Sequence, residues 1–323
     1  MKLSVMMTTY NHERFIAQAL ESVLAQRVNF DYEIVIGEDC STDGTREILM
    51  DFCRRYPSRI VALLRSHNLG GKQNFLDTLP TCRGQYVALL DGDDYWISED
   101  KLQRQVDFLD AHPGHAICCS RAQVLDERGS GYARFLPFPP VPAGSYTLND
   151  LLRGNFVVPS TTVYRRDAIG SLPQWYHTVV PGDWALFALI ARRGNIVLMD
   201  EALTMYRMHW GGIWSARPLA DQLSESMRML KVLDEHLDFQ YTSTIRRTMA
   251  RYRGYAAEAH LGMAHTEREK GNRRETAKHV AGYLWNGGLR LPHTRRGFAS
   301  FTAYTLFGSW YEAIRKAKQA SRS

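Results

Sequence analysis

Three carboxylates that follow one apolar run could together hold a divalent cation. Asp91, Asp93 and Asp94 stand in the segment Asp-Gly-Asp-Asp-Tyr-Trp, directly after residues 86–90, which are apolar enough to form a buried strand. Carboxylates this close repel one another, and Mg²⁺ or Mn²⁺ neutralises them through oxygen ligands that it shares with substrate phosphates. A solvated acidic turn that caps the helix expected near residue 101 is the alternative. The motif by itself leaves both interpretations open.

Two more groups of polar residues follow predicted strands. Thr8, Thr9 and Tyr10 come after the first strand, and the segment 37–44, Gly-Glu-Asp-Cys-Ser-Thr-Asp-Gly, comes after the second. Ligands of an open parallel sheet bind at the carboxyl ends of its strands, so these groups should meet the acidic cluster along one edge. An aromatic ring, hydroxyls, a carboxylate and a metal at that edge describe a pocket for a base, a ribose and a diphosphate.

Two acids of the second group are given different roles. The carboxylate of Asp39 can accept a hydrogen bond from the imide N–H of a pyrimidine, and we interpret it as functional. Asp43 precedes Gly44 and the predicted helix 44–56, where a carboxylate caps free backbone amides, and we interpret it as structural.

The elements that must position these residues form an α/β domain. Short apolar runs alternate with helical periodicity, which predicts a mostly parallel sheet with helices on both faces. The predicted strands are 3–7, 33–37, 60–64, 86–90 and 116–120, and the predicted helices are 12–26, 44–56, 70–79 and 101–111. Residues 129–146, rich in proline and glycine, are expected to be a long loop. Beyond that loop, the sheet is expected to resume with strands at 156–165, 195–199 and 203–208 and a helix at 183–193.

The chain changes character after residue 215. Long helical patterns at 219–237, 241–270 and 273–285 predict a helical domain over residues 216–323, separate from a catalytic domain over residues 1–215. Its last segment, 290–323, is basic and encloses an uncharged aromatic stretch at 297–311. That composition suits a helix in a membrane interface, and packing of the aromatic residues onto the helical domain is the alternative.

Composition excludes several classes of protein. The apolar fraction of 45% is typical of a globular protein, and the charge of +6 suits an anionic substrate or membrane surface without indicating nucleic acid. The five cysteines are odd in number and lack the spacing of zinc ligands, which favours a reducing compartment. We find no signal peptide and no apolar run of about 18 residues. We therefore expect a cytoplasmic protein that can contact the inner face of the cell membrane.

The stretches TTYNHERFIAQALESVLAQ, EDCSTDGT and LLDGDDYW, in this order and spacing, resemble the family 2 glycosyltransferases with the glycosyltransferase A fold, over residues 1 to about 215. The resemblance implies inverting transfer of a sugar from a nucleoside-diphosphate donor, a UDP-sugar, to an acceptor hydroxyl, with Mn²⁺ or Mg²⁺ as cofactor. It implies nucleotide contacts from Thr8, Thr9, Tyr10, Asp39, Lys72 and Asp93, and metal ligands in Asp93, Asp94 and His209, with Glu38, Asp91 and Trp214 in support.

The resemblance also supplies a candidate base. Inverting displacement needs a group that takes the acceptor proton, and a carboxylate within hydrogen-bond reach suffices. The family carries an acid before the helix on the acceptor side, often as Glu-Asp, whereas this chain has Gly182-Asp183. Asp183 is therefore the only candidate at this motif, and capping of the following helix is the alternative role.

Three of these assignments have alternatives in the chain itself. Lys72 could contact a phosphate, although the two glycines before it are explained by a turn from strand to helix. His209 ends a strand and precedes two glycines, so we favour a metal or diphosphate ligand over a structural histidine. Trp210 and Trp214 fit a lid over the donor or an interface with the helical domain.

Other activities fit less well. A sugar-nucleotide pyrophosphorylase needs a glycine-rich basic loop after the first strand, a dehydrogenase needs G-x-G-x-x-G there, and a processive synthase needs Q-x-x-R-W and membrane spans. The remaining alternative is a non-catalytic sugar-nucleotide-binding scaffold of a glycan assembly complex. Asp183 argues against it, because such a scaffold needs no base. By analogy with the family, the acceptor is expected to be a bacterial surface glycan or a lipid-linked sugar.

Overall fold

The computed structural model describes residues 1–129, 134–137, 139–212, 214 and 217–287. The chain divides into two compact units, Met1–Ser215 and Ala216–Ser323.

The first unit alternates strands and helices. Its strands are β1 (Leu3–Thr9), β2 (Tyr32–Glu38), β3 (Ile60–Leu64), β4 (Tyr86–Leu89), β5 (Tyr95–Trp96), β6 (His115–Asp126), β7 (Phe135–Leu136), β8 (Gly144–Tyr146), β9 (Val163–Arg165) and β10 (Asn195–Met208). Its helices are α1 (Ile16–Leu24), α2 (Thr45–Arg55), α3 (Gly71–Thr78), α4 (Lys101–Ala111), α5 (Leu148–Leu151) and α6 (Gly182–Ala191).

The strands form one sheet in the order β3-β2-β1-β4-β9-β6-β10-β5, with β7 beside β6 and β8 beside β10. Strands β1 to β4 are mutually parallel, and β9 runs antiparallel to its neighbours β4 and β6. Because β1, β2 and β4 are parallel neighbours, the residues that follow them lie at one edge of the sheet. The expected α/β sheet with flanking helices is confirmed.

Apolar spacing explains how the helices cover this sheet. Helix α1 buries Ile16, Ala19, Leu20 and Val23, which recur every three or four residues and therefore share one face. Helix α6 differs because all eight residues from Trp184 to Ala191 are buried, as expected of a helix that is apolar on every side. The buried body of α6 thus fixes the position of its amino terminus.

Two predictions of secondary structure are wrong. The expected strand 156–165 is a short 3₁₀ turn, Pro159–Thr161, followed by the three residues of β9. Proline lacks the amide that a strand needs, and the hydroxyls of Thr161 and Thr162 bond the carbonyls of Val158 and Pro159 instead. The two strands expected at 195–199 and 203–208 are one strand, β10, whose pairing with β6 shifts register between Leu198 and Ala202.

Other boundaries differ less. The first helix begins at Ile16 rather than at residue 12, because residues 11–13 are held by hydrogen bonds to the segment 41–45. The expected loop 129–146 contains β7 and β8 within its described residues.

The second unit is helical as far as it is described. It contains α7 (Leu219–His236), α8 (Thr242–Glu269) and α9 (Arg273–Trp285), and the side chain of Asn272 caps α9 by accepting a hydrogen bond from the Glu275 amide. Within the described ranges, none of the helices is both long and apolar enough to cross a membrane. The basic aromatic segment 290–323 lies outside the described residues, so its membrane contact stays a prediction.

Candidate functional site

The acidic loop after β4 packs against the end of β1. The hydroxyl of Thr8 donates a 2.7 Å hydrogen bond to Asp91 Oδ1, and the amide of Gly92 donates to the Thr8 carbonyl at 3.0 Å. A Cβ on Gly92 would stand 2.7 Å from Thr9 Oγ1 and 2.9 Å from His12 Nδ1. Glycine is therefore required for the loop to approach the first strand this closely.

Three side chains converge into a candidate metal site. His209 Nε2 lies 3.1 Å from Asp93 Oδ2, and His12 Nε2 lies 3.8 Å from the same oxygen. One ligand atom from each of these residues lies within 4.8 Å of the others, and His12 Nδ1 is buried without a hydrogen-bond partner in the described part of the chain. Two imidazoles and a carboxylate are donors that divalent transition metals bind, so the residues present fit a metal ion.

Sequence reasoning missed His12, although a signal was available. The residue lies in the same polar segment at the end of β1 as Thr8, Thr9 and Tyr10, which were assigned to the nucleotide. The same physical argument about strand ends applies to it.

Asp94 lies beside this cluster but not within it. Its side chain is 4% exposed and accepts a 2.8 Å hydrogen bond from the backbone amide of Arg207 in β10. The carboxylate therefore connects the acidic loop to β10. Its predicted role as a metal ligand stays a prediction.

The loop brings three carboxyl groups close together, and their pKa values differ. Desolvation among the neighbouring carboxylates, with a contribution from the charge of Asp93, raises the pKa of Asp91 to about 7, although its side chain keeps an exposed surface. Burial raises the pKa of Asp94 well above its usual range. Burial acts to raise the pKa of Asp93 too, but the His209 hydrogen bond and the charges of both histidines outweigh it and lower this pKa. Burial lowers the pKa of His12, which favours the neutral imidazole that a metal requires. The charge pattern suits a bound cation.

Asp39 and Glu38 order two loops at the edge. Asp39 Oδ1 and Oδ2 accept hydrogen bonds from the amides of Leu69 and Gly70 at 2.7 and 2.9 Å. The fully buried Glu38 accepts from the Ser41 amide at 2.6 Å and pairs with Arg46. A carboxylate oxygen has two lone pairs, so Asp39 keeps acceptor capacity for a ligand.

The predicted nucleotide contacts of the first strand also reach this edge. Thr9 is buried, and its hydroxyl has no hydrogen-bond partner within the described ranges, whereas Tyr10 is 38% exposed and offers a free ring. Their contact with a nucleotide stays a prediction.

Asp183 stands in the first turn of α6. It accepts a 3.3 Å hydrogen bond from Asn155 Nδ2, and the nearby amides of its own turn act to lower its pKa. The N-cap of α6 is Pro181, and no side-chain hydrogen bond caps it. Burial nevertheless raises its pKa above the usual range. Its charge also contributes to the raised pKa of Asp91, which places Asp183 in the electrostatic field of the acidic loop.

Lys72 has a neighbour that the sequence did not reveal. Its ammonium nitrogen lies 3.8 Å from the centroid of the Tyr176 ring, and a Cβ on Gly182 would stand 2.4 Å from that nitrogen. Burial lowers the pKa of Lys72 to about 8, whereas the charge of Asp183 acts to raise it. The predicted phosphate contact of Lys72 stays a prediction.

The tryptophans after β10 leave both of their interpretations open. Trp210 is 79% exposed. Trp214 lies in a turn, and residues 213, 215 and 216 around it are outside the described ranges. Neither the lid nor the domain interface is tested by these positions.

A family model for glycosyl transferase family 2 matches residues 4–172, more than half of the chain. The chain belongs to this family. The resemblance to this family and the expected fold class are therefore confirmed. The match includes the first strand, the acidic loop and β9, whereas Asp183 and His209 lie beyond it.

Known proteins similar to this chain extend the comparison. The uncharacterized protein Rv1520 of Mycobacterium tuberculosis (strain ATCC 25618 / H37Rv) is 37% identical over 214 residues, which cover 66% of this chain and 60% of that protein. The chain thus spans about three fifths of that relative. WfaP of Escherichia coli, a UDP-Glc:alpha-D-GlcNAc-diphosphoundecaprenol beta-1,3-glucosyltransferase, is 26% identical over 235 residues, covering 72% of this chain and 85% of WfaP.

A solved structure shares the fold. The mannosyltransferase PcManGT from Pyrobaculum calidifontis, in complex with GDP-Man and Mn²⁺, superposes with a TM-score of 0.57 and 14% identity, covering 100% of this chain and 88% of that one. At this identity the likeness supports the fold alone.

Proposed function

We propose that the chain is an inverting, metal-dependent glycosyltransferase that moves a sugar from a UDP-sugar to a hydroxyl of a bacterial surface glycan or its lipid-linked precursor. The observation that carries this proposal is the cluster of His12, Asp93 and His209 at one sheet edge. Asp91 of the same acidic loop has a pKa that the charge of Asp183 acts to raise. The cluster of two histidines and Asp93 can bind a diphosphate through a metal, and Asp183 can accept a proton.

The polar edge beside β1 supports nucleotide binding. The exposed ring of Tyr10 can stack on a base, and Asp39, fixed by two amides, can accept a hydrogen bond from the N–H of uracil. WfaP, the relative with a stated donor, uses UDP-Glc, which favours a uridine nucleotide, whereas PcManGT is bound to GDP-Man.

The metal would be held by His12, Asp93 and His209. Imidazole nitrogens suit Mn²⁺ better than Mg²⁺, which prefers oxygen ligands throughout. A bound ion would neutralise the charge that grows on the departing diphosphate. PcManGT, which shares the fold, is bound to Mn²⁺.

Asp183 would act as the base. Its raised pKa makes it a better proton acceptor than an ordinary aspartate, and the rigid helix α6 fixes its position. As the acceptor oxygen bonds to the anomeric carbon, its proton passes to Asp183 and the bond from that carbon to the diphosphate breaks. Positioning and electrostatics supply the rate, without a covalent nucleophile.

The acceptor is proposed from chemistry and analogy. WfaP acts on a sugar linked to diphosphoundecaprenol, and the basic segment 290–323 of this chain suits an anionic lipid surface. Vesicle flotation with and without residues 290–323 tests this part. If the full chain does not bind anionic vesicles, the membrane contact is wrong.

A donor panel tests the reaction. The full-length protein is incubated with UDP-, GDP- and dTDP-sugars in Mn²⁺, Mg²⁺ or EDTA, and donor hydrolysis and thermal shift are measured. We expect one UDP-sugar with Mn²⁺ to raise the melting temperature and release UDP, and His209→Ala to abolish both effects. Asp77→Asn, an exposed substitution on α3, should change neither.

Two results would contradict the proposal. If no donor binds with metal, the transferase assignment of this site fails. If a donor binds tightly but neither hydrolysis nor transfer occurs with any lipid-linked acceptor tested, the chain is the non-catalytic sugar-nucleotide binder.

A further inference from the structure

The ammonium group of Lys72 lies against Gly182, the residue before the candidate base Asp183. A Cβ on Gly182 would lie 2.4 Å from Lys72 Nζ and 3.2 Å from Lys72 Cε, which is closer than unbonded atoms approach. Any residue other than glycine at position 182 would therefore displace the lysine tip. The absence of a side chain there creates the space that Lys72 fills.

The surroundings of Lys72 Nζ are unusual for a lysine. The nitrogen is buried, and no hydrogen-bond acceptor contacts it among the residues that the structure describes. It lies 3.8 Å from the centre of the Tyr176 ring, at cation–π distance. A buried charge without an ion pair is costly, so a neighbouring negative charge is needed to retain the proton.

Asp183 supplies that charge, and the interaction is mutual. The charge of Asp183 acts to raise the pKa of Lys72, and the charge of Lys72 acts to lower the pKa of Asp183, although no hydrogen bond joins them. Lys72 Nζ is buried and lies against the Tyr176 ring, so in this arrangement its charge acts on the site through Asp183.

We propose that Lys72 is a positioning residue that keeps Asp183 ionised and ready to accept the proton of the sugar acceptor, and that Gly182 is required because it admits the ammonium group. The proposal rests on the proposed function of Asp183 as base. The Lys72 cation favours ionisation of Asp183, whereas a second carboxylate at position 182 would oppose it.

The other groups around Asp183 act in known directions. Burial raises its pKa, and the amides of its own helical turn, Lys72 and Asn155 lower it. The charge of Asp183 in turn acts to raise the pKa values of Asp91, Tyr176 and Tyr206. Among the side chains named in these interactions, Lys72 is the one that carries a positive charge.

The test measures Asp183 directly. Protein labelled with ¹³C at aspartate carboxyls is titrated by NMR in saturating Mg²⁺, and the Asp183 signal is assigned by its loss in Asp183→Asn. We expect Lys72→Met to raise the pKa of Asp183 by about one unit, the lower end for removal of a nearby opposite charge. Lys278→Met, which removes an exposed lysine from α9, should leave the pKa unchanged.

Gly182→Ala is the second arm. The added methyl group should push the flexible lysine tip away and raise the pKa of Asp183 in the same direction as Lys72→Met. In a Lys72→Ala background, the same Gly182→Ala change should add no further shift, because no ammonium group is left to displace. Melting curves establish that each variant is folded.

Kinetics show whether the effect reaches the reaction. With the donor that supports transfer in the panel, the acidic limb of kcat/KM should move about one pH unit upward in Lys72→Met, with the donor KM unchanged. A raised donor KM with an unmoved limb would overturn the proposal and support a phosphate contact instead. An unmoved Asp183 pKa in folded Lys72→Met and Gly182→Ala would overturn it irrespective of activity. If no donor is bound or turned over but the pKa of Asp183 shifts as expected, only the proposed function is contradicted.

Discussion

The backbone amide of Arg207 donates a 2.8 Å hydrogen bond to the carboxylate of Asp94, across 113 residues of sequence. The side chain of the same arginine donates to the Asp93 carbonyl at 3.0 Å, to Glu127 at 2.7 Å and to Gln18 at 2.8 Å. One buried residue thus joins the acidic loop, the end of β6 and α1. Since His209 follows Arg207 by two residues, this network also sets where His209 meets Asp93.

Arg207→Met should therefore destabilise the first unit and loosen the candidate metal site. The change leaves Glu127 and the Asp93 carbonyl without their charged donor, and we expect a loss of about 2–3 kcal/mol of unfolding free energy. Urea denaturation measures the loss, and the midpoint of a Mn²⁺ titration should rise in the same variant.

Arg104→Met is the matched control. Arg104 pairs with Glu201, but their side chains are 36% and 53% exposed, so removing this pair should cost less than about 1 kcal/mol. Equal losses in the two variants would show that Arg207 has no special structural role.

His12→Ala tests the residue that the sequence argument passed over. If His12 is a metal ligand, its removal should weaken Mn²⁺ binding at least about tenfold, as loss of even an indirect ligand partner does. Calorimetric titration with Mn²⁺ and UDP measures the change. His112→Gln, at an exposed histidine outside the site, is the control. Unchanged Mn²⁺ affinity in His12→Ala would remove His12 from the site.

The sequence is sufficient to locate candidate site residues that directly follow predicted strands. Asp93 and Asp39 follow parallel strands, so their position at one edge of the sheet follows from topology. His209 follows the predicted strand 203–208, and the family resemblance pointed to it as a ligand beside Asp93. The packing of Lys72 against Gly182 could not be inferred this way, because it depends on how the start of α3 meets the start of α6. Contacts between residues of distant helices leave no local pattern in a sequence.

Local sequence patterns gave wrong secondary-structure predictions where tertiary contacts determine the backbone conformation. Residues 156–165 are rich in β-branched side chains, which favour strands, yet Pro159 and hydroxyl-to-carbonyl bonds impose a turn. In β10 the exposed acids Asp200 and Glu201 fall in the gap between the predicted strands 195–199 and 203–208. Both pair with arginines of neighbouring elements, and the strand continues through a register shift.

Asp39→Asn separates two roles of one carboxylate. The amide group of asparagine cannot accept from both Leu69 and Gly70, so one of these backbone amides should lose its partner, at a cost of about 1–2 kcal/mol. If Asp39 also accepts from the base, the KM for UDP-sugar should rise more than the KM for the acceptor. Thermal melting and steady-state kinetics measure the two effects, and loss of stability with an unchanged donor KM would restrict Asp39 to its structural role.

Glu33 should make stability depend on pH. Burial acts to raise its pKa, but hydrogen bonds from Arg83 and Ser4 outweigh this, so the pKa in the folded state is lowered. A lowered pKa means that the folded state binds fewer protons, and its stabilisation is present above about pH 4.3 and lost as pH falls through the folded value. Glu33→Gln should melt about 2 °C below wild type at pH 7, with the gap closing by pH 3. A gap that is equal at both pH values would contradict this.

Asp183→Asn should stop transfer while preserving the fold and the donor site. Asparagine matches aspartate in shape and can still accept from the first-turn amides of α6, so stability and UDP affinity should change little. An amide cannot take the acceptor proton, and kcat for transfer should fall by about 10²–10⁴-fold. Stopped assays of sugar transfer, with calorimetric titration of UDP and Mn²⁺, measure the two quantities, and Asp167→Asn in the same unit is the control. Full transfer by Asp183→Asn would leave the metal site standing and assign the base to another residue.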